Sequence, residues 1–235
     1  MGDHYFSAVP SAPSKPVTVE LKLADVELDL LADRGVFSGS RVDPGTMALL
    51  KEAPAPPVSG DLLDLGCGYG PIACALARRS PAARVWAIDV NLRALELTMA
   101  NAASNGLANV TVVRPDQVPA STVFSGIWSN PPVRVGKQAL HDLLSTWLPR
   151  MLGDASAWLV VNRHLGSDSL AEWLESGGWD VHRRASKSGY RVLQVRRQED
   201  WRHEAGAHRE VDVHGEVGAH HKADAHHEID GWAQE

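Results

Sequence analysis

The chain has 235 residues, of which 44% are hydrophobic, and this length and composition suit one α/β domain with a sizeable core. Its formal charge of −6 is uneven: residues 198–235 hold 10 acidic and 3 basic residues, which leaves residues 1–197 at about +1. A nearly neutral domain neither requires nor excludes a nucleic-acid partner. Two cysteines are too few for a disulfide framework, and the sequence shows neither a secretion signal nor a long apolar stretch. We therefore expect a cytoplasmic protein without a membrane segment.

Residues 1–57 are predicted to form an N-terminal extension that packs on a larger domain. Apolar and polar residues alternate over residues 17–32, a pattern typical of a β-hairpin, with Ala24-Asp25 at its turn. Asp43 followed by Pro44 is a typical helix start, and the helix is expected to reach about Ala53.

Residues 58–197 alternate short apolar runs with helical patterns. Seven runs are predicted strands, and the last two follow each other without a helix between them. Such alternation indicates a Rossmann-like α/β fold: a seven-stranded, mostly parallel sheet with an antiparallel edge. Residues 198–235 contain 7 of the 11 histidines but few large apolar residues, so we expect a disordered acidic tail. The histidines of "HHKADAHH" lack the tight spacing of zinc sites, and no metal site is predicted.

The sequence "DLGCGYGP" joins the first strand of this domain to its first helix. Gly66, Gly68 and Gly70 allow the backbone to approach a ligand closely. Asp89 ends the next strand, where a carboxylate can accept hydrogen bonds from ribose hydroxyls. The G-x-G-x-G spacing, preceded by Asp64, departs from the dinucleotide pattern G-x-G-x-x-G, although both patterns indicate a nucleotide-like cofactor.

The sequence "SNPP" ends the fourth strand. Pro131 and Pro132 lack N–H groups and stiffen the chain after Asn130, so the segment offers mainly hydrogen-bond acceptors. Such a segment suits the binding of an amino group. In a doubly wound sheet the first and fourth strands flank the point where the strand order reverses, which predicts that "SNPP" lies beside the glycine loop.

These motifs resemble those of a known enzyme family. "DLGCGYG" is similar to motif I, and "SNPP" to motif IV, of class I S-adenosylmethionine-dependent methyltransferases. "RGVFSGSRVDPGTMALL" and "NPPVRVGK" resemble the single-domain branch of the "methyltransferase small" family of RsmC-like ribosomal RNA guanine-N2 methyltransferases. The resemblance covers residues 4 to 197 and implies S-adenosylmethionine as the cofactor.

The resemblance also implies roles for individual residues. Asn130, Pro131 and Pro132 would be catalytic, with the Asn130 oxygen and the Pro131 carbonyl accepting the two N–H groups of an exocyclic amine. Val133 stands where better-known members of the family carry an aromatic residue, and Val133, Arg134 and Lys137 would contact the substrate. The implied cofactor contacts are Phe37, Ser38, Asp64, Gly66, Cys67, Gly68, Gly70, Asp89, Val90, Asn91, Asp116, Gln117 and Asn130.

The expected partner is ribosomal RNA or the small ribosomal subunit, without a DNA or membrane partner. Related NPP motifs occur in enzymes that methylate adenine N6 or protein glutamine amides, and these remain alternatives. A binding module for S-adenosylmethionine or RNA without catalysis is an alternative of a different class.

Overall fold

The structure, a computed structural model, describes residues 13–34, 36, 41–132 and 136–198. The predictions for Phe37, Ser38, Val133, Arg134 and residues 199–235 concern positions outside these ranges. The elements are β1 Val17–Lys22, β2 Glu27–Ala32, α1 Pro44–Glu52, β3 Ser59–Leu65, α2 Pro71–Arg79, β4 Ala82–Ile88, α3 Leu92–Ser104, β5 Val110–Val113, β6 Gly126–Ser129, α4 Lys137–Trp147, β7 Ala157–Asn162, α5 Ser167–Ser176, β8 Trp179–Lys187 and β9 Tyr190–Arg197.

The N-terminal hairpin and the first helix form where the sequence predicts them. Strands β1 and β2 pair in antiparallel register, and the Leu23 N–H donates to the Val26 carbonyl across the turn at 2.8 Å. Every second residue of β2 is buried, as the alternating sequence pattern requires. Asp43 caps α1 by accepting hydrogen bonds from Gly45 N and Thr46 N. The helix prediction is therefore confirmed to within one residue.

The larger sheet has seven strands in the order β5-β4-β3-β6-β7-β9-β8. Neighbouring strands from β5 to β7 are parallel, while β9 runs antiparallel to both β7 and β8. The predicted Rossmann-like sheet with an antiparallel edge is confirmed. Apolar side chains fill both faces of the sheet: one cluster joins it to the hairpin, α1, α2 and α3, and the other to α4 and α5.

The strand order places two loops side by side. The chain runs outward from β3 through β4 to β5 and then returns to β6 on the other side of β3, so the order reverses between β3 and β6. The Ser129 hydroxyl donates to the Leu65 carbonyl at 2.6 Å, which fixes the carboxyl ends of these two strands together. The glycine loop and Asn130 therefore adjoin, as the topology predicts. None of the helices in the described part of the chain is long and apolar enough to cross a lipid bilayer.

Candidate active site

The loop after β3 folds into a tight turn that presents backbone to an open space. Gly66, Gly68 and Gly70 all have positive φ values, of 78°, 58° and 89°, which residues with a Cβ rarely adopt. The N–H groups of Gly66 and Cys67 donate to the Ile88 carbonyl at 2.9 and 3.0 Å. A Cβ added at Gly66 would meet nothing within 4 Å, so the space above this residue is free for a ligand.

Asp64 lies below this loop and is completely buried. Its Oδ2 accepts a hydrogen bond from the Ala73 N–H at 2.8 Å, whereas its Oδ1 has no partner among the described residues. Burial raises the pKa of the Asp64 carboxyl to about 8. By accepting this hydrogen bond from Ala73, Asp64 holds the first turn of α2 in place beneath the loop.

Asp89 follows β4 and braces the same loop from the side. Its Oδ2 accepts from Gly68 N at 3.0 Å and its Oδ1 from Asn91 N at 2.9 Å. Burial raises the pKa of the Asp89 carboxyl above its ordinary value, although these hydrogen bonds oppose the shift. Each carboxylate oxygen has a further lone pair, so Asp89 can still accept from the hydroxyl groups of a ligand. The Asn91 side chain caps α3 through Ala94 N.

Asn130 is held from one side only. Its amide nitrogen donates to Asp43 Oδ1 at 2.9 Å and to Thr46 Oγ1 at 3.0 Å. A carboxylate only accepts hydrogen bonds, so the group facing Asp43 is the amide nitrogen and not the oxygen. Within the described residues the Asn130 oxygen has no donor, and it remains available as an acceptor.

Two cavities meet at Gly66, and the "NPP" segment contributes to both. The polar cavity includes Asp43, Thr46, Tyr69 and Asn130. The Tyr69 hydroxyl is buried without a partner in the described structure, and burial, followed by the charge of Asp43, raises the Tyr69 pKa, so this group stays neutral. The second cavity is mainly apolar and is lined by Leu65, Gly66, Ile88, Asp89, Val90, Pro115, Pro132 and Leu143.

This pair of cavities fits the cofactor that the motifs imply. The apolar cavity suits a flat adenine ring, and Asp89 in its wall suits the ribose hydroxyls. The open space at Gly66 leads to the polar cavity, where the unpartnered Tyr69 hydroxyl can bind a polar group such as the amino acid end of S-adenosylmethionine. The fit therefore depends on geometry and on an unsatisfied buried polar atom.

Other predicted contacts lie at the margin of the site. Asp116 is exposed and pairs with Arg114 at 3.2 Å, while the Gln117 side chain accepts from the Arg114 N–H at 2.8 Å. Their neighbour Pro115 lines the apolar cavity, so a contact of Asp116 with adenine stays a prediction. Lys137 is the exposed first residue of α4. Cys67 is buried, and burial raises its thiol pKa well above the usual range, which argues against a nucleophilic role.

A wider groove lies at the opposite edge of the sheet. It is lined partly by Trp173, Trp179 and Arg197. Arg197 Nη2 already donates to the carbonyls of Pro149 and Met151, at 2.5 and 3.1 Å. No residue of the glycine loop lines this groove, so the two smaller cavities are the candidate active site.

The sequence did not assign site roles to four residues that the structure brings in. Asp43 was predicted only as a helix cap, and Thr46, Tyr69 and Tyr190 had no predicted role. The Tyr190 hydroxyl donates to Asp43 Oδ2 at 3.3 Å across 147 residues of chain. The signal that could have pointed to Asp43 and Thr46 is their presence in "RVDPGTMALL", the segment that carries part of the family resemblance.

Comparisons with known proteins identify relatives of this chain. A family model described as "Methyltransferase small domain" matches residues 27–194. The uncharacterized protein YbxB of Bacillus subtilis (strain 168) is 34% identical over 200 residues, which cover 84% of this chain and 100% of that protein. Ribosomal RNA small subunit methyltransferase C of Pseudomonas aeruginosa (strain LESB58) is 33% identical over 199 residues, covering 80% of this chain and 59% of that protein.

A solved structure shares the fold. It is a 16S rRNA N2 methyltransferase (RsmC) of T. Thermophilus in complex with AdoMet and guanosine, with a TM-score of 0.67, 24% identity, and coverage of 80% of this chain and 52% of that one. The chain spans only 41% to 59% of the ribosomal RNA methyltransferases that it matches.

Proposed function

We propose that this chain, which belongs to the methyltransferase small-domain family and is an S-adenosylmethionine-dependent methyltransferase, methylates the N2 amine of a guanine in ribosomal RNA. The names of its relatives support this acceptor, since several are ribosomal RNA methyltransferases and one solved neighbour contains guanosine. The observation that carries the proposal is Asn130, whose amide oxygen is free to accept beside the glycine loop.

Several residues of the chain would bind and orient the cofactor. S-adenosylmethionine supplies a methyl group already activated by its positive sulfur. Asp89 would accept hydrogen bonds from the ribose hydroxyls, and the apolar cavity with Val90 and Pro132 would enclose the adenine. Gly66, shared by both cavities, lets the remainder of the molecule reach the polar cavity, which contains Asn130.

Asn130 would orient the acceptor amine. An exocyclic amine is flat because its lone pair is delocalised into the ring. Hydrogen bonds from its two N–H groups to the Asn130 oxygen and the Pro131 carbonyl would favour tetrahedral character and aim the lone pair at the methyl carbon. The nitrogen held in this way would take the methyl group and leave the sulfur neutral, and the nitrogen, now acidic, would release a proton to water. Positioning of this kind corresponds to effective molarities of roughly 10⁵ M or more.

The edge of the sheet that carries Asn130 also suits RNA phosphates. Arg163 and His164 directly follow β7 and are exposed. The Arg163 N–H donates to the carbonyl of Gly189 at 2.8 Å, so Arg163 adjoins the tip of the β8–β9 hairpin with its exposed Lys187. A folded RNA would have to turn the target base out of its stack to reach Asn130.

Mass spectrometry of ribosomal RNA nucleosides tests the acceptor. A strain lacking the gene should lose N2-methylguanosine at one position, and the wild-type gene should restore it. Loss of N6-methyladenosine, or of methylglutamine in a protein, would show that the acceptor is one of these alternatives and not guanine. An unchanged set of modified nucleosides and proteins would favour a binding module without catalysis.

Replacing Asn130 tests the mechanism separately. We expect Asn130→Ala to lower the single-turnover methyl-transfer rate by roughly 10²-fold or more, because the interaction acts mainly in the transition state. The dissociation constant for S-adenosylmethionine should change by less than about threefold. Rapid-quench assays and calorimetry measure the two quantities. A variant with full activity at saturating cofactor and RNA would show that Asn130 does not orient the amine.

A further inference from the structure

The geometry points to Asp43 and Thr46 as positioning residues that fix the orientation of the Asn130 amide. This inference rests on the proposed role of Asn130 in holding the acceptor amine. Asp43, the N-cap of α1, and Thr46, in its first turn, determine which atom of the amide faces the substrate.

The hydrogen bonds allow only one orientation. Asp43 Oδ1 and Thr46 Oγ1 lie 2.9 and 3.0 Å from the amide nitrogen of Asn130. In the flipped amide, the Asn130 oxygen would face the Asp43 carboxylate oxygen at this distance, and two acceptors would repel each other. Since the site is partly buried, water would compensate only in part.

Asp43 is itself held rigidly. Its Oδ1 also accepts from Gly45 N at 2.8 Å and from Thr46 N at 3.1 Å at the N-terminus of α1, where a helix favours negative charge. Its Oδ2 accepts from the Tyr190 hydroxyl at 3.3 Å. A Cβ on Gly45 would lie 2.6 Å from the Tyr190 ring, so only glycine leaves room for this packing. Elements α1 and β9 thus fix the carboxylate before any substrate binds.

The orientation matters because the acceptor amine also donates. An amide nitrogen facing the amine would place N–H groups against N–H groups and could accept no hydrogen bond. With its nitrogen bound to Asp43 and Thr46, Asn130 presents only its oxygen. The arrangement therefore fixes the Asn130 amide with its oxygen towards the substrate, so that the side chain acts there only as a hydrogen-bond acceptor.

A purely structural role for Asp43, as the cap of α1, makes a different prediction. Serine is as good a helix cap as aspartate, but its shorter side chain cannot hold the Asn130 amide. We therefore expect Asp43→Ser to keep the fold and to lower the single-turnover rate about 10-fold or more. In an Asn130→Ala background the same change should have almost no further effect, because the residue that it positions is already absent.

The single-turnover rate of labelled methyl transfer to ribosomal RNA from the deletion strain is measured for four proteins. These are the wild type, Asp43→Ser, Asn130→Ala and the double variant. Thr46→Val provides a second variant that leaves the cap of α1 intact, and it should show the same loss and the same dependence on Asn130. Equal effects of Asp43→Ser and Thr46→Val with and without Asn130 would overturn the positioning role while leaving the proposed function intact.

Full activity of Asn130→Ala would overturn both the proposed mechanism and this inference. A direct measurement on the Asn130 amide distinguishes the positioning role from the proposed mechanism without an activity assay. Proton exchange of the Asn130 side-chain NH₂, followed by nuclear magnetic resonance in the ligand-free protein, should be slowed in the wild type and fast in Asp43→Ser. Equally fast exchange in both proteins would contradict the positioning role whatever the substrate is.

Discussion

At the scale of single residues, the burial of Asp64 predicts how stability depends on pH. An unfolded aspartate loses its proton near its ordinary pKa of 3.8, whereas Asp64 in the fold keeps its proton up to about pH 8. Between these values the folded state binds more protons, so this group lowers the free energy of unfolding as pH rises. The contribution is present below pH 4 and lost by about pH 8.

Asp64→Asn isolates this contribution. The amide keeps an oxygen for the Ala73 N–H but has no proton to lose. We expect the free energy of unfolding of the variant, from urea titrations at several pH values, to fall less between pH 4 and pH 8 than that of the wild type. The comparison with wild type removes the similar contribution of Asp89. Parallel curves for the two proteins would mean that Asp64 ionises normally in the fold.

Residue roles could be predicted from sequence where their signal is local or part of a motif. Asp43 as a cap depends on its own neighbours, and the structure confirms it. The contact between Asp43 and Asn130 joins residues 87 positions apart, and neither the period of a strand nor the cap of a helix encodes such a contact. It arises only when α1 packs over the carboxyl end of β6 and the amino end of β9.

At the scale of elements, Asn101 connects the N-terminal hairpin to the larger sheet. This residue of α3 is buried, and its Oδ1 accepts from the Leu31 N–H at 2.6 Å. Its nitrogen donates to the Leu31 carbonyl at 2.9 Å and to the Tyr69 carbonyl at 2.7 Å. One side chain thus satisfies the exposed edge of β2 and the glycine loop together.

Asn101→Ala should therefore destabilise the fold. It leaves three backbone groups without partners, and unpaired buried groups cost about 1–3 kcal/mol each, partly offset by water. We expect the free energy of unfolding to fall by about 2–4 kcal/mol, measured by urea denaturation. The half-buried Asn105 forms a related but solvent-exposed bond from its Nδ2 to the Asp29 carbonyl, and Asn105→Ala is the control, with a loss of less than about 1 kcal/mol. Equal losses would contradict the connecting role of Asn101.

The elements themselves could be predicted because sheet strands buried on both faces produce nearly continuous apolar runs, as in β7. Pro44 and Pro71 mark the helix starts, as observed. The shift of register between Arg183 and Ala185 in the edge pair β8–β9 was not predicted. An exposed edge strand has no buried face that would fix its register from the sequence.

At the scale of the whole molecule, the reversal of strand order brings the residues of the candidate site together at one edge of the sheet. The glycine loop, Asp89 and Asn130 come from different strands but meet there, and the basic tip of the β8–β9 hairpin projects from the same edge. Asn162 pairs with Tyr190 and lies three residues past Leu159, which pairs with Ser129. The tip thus extends roughly 10 Å beyond the end of β6.

Arg163 and Lys187 lie at this edge, where they can bind RNA phosphates. Both are exposed, and neither forms an ion pair with a described residue. If they bind phosphates, Arg163→Glu and Lys187→Glu should weaken the binding of ribosomal RNA. In each variant the affinity should also fall less steeply with salt. The magnitude of the slope of log affinity against log salt should decrease by about 0.7–0.9, because one phosphate fewer is neutralised. The affinity for S-adenosylmethionine should not change, because both residues lie outside the two cavities.

The matched control is Arg196→Glu, an identical charge reversal at the opposite end of the same hairpin, where Arg196 pairs with Asp180 in the strand register. Filter binding at several salt concentrations compares the three variants. Because electrostatic attraction falls off within about 8–10 Å at physiological salt, a change at Arg196 should alter the slope little. Equal slopes for all three variants would show that RNA binding depends on basic residues spread over the protein surface, and the edge that carries Asn130 would then have no special part in it.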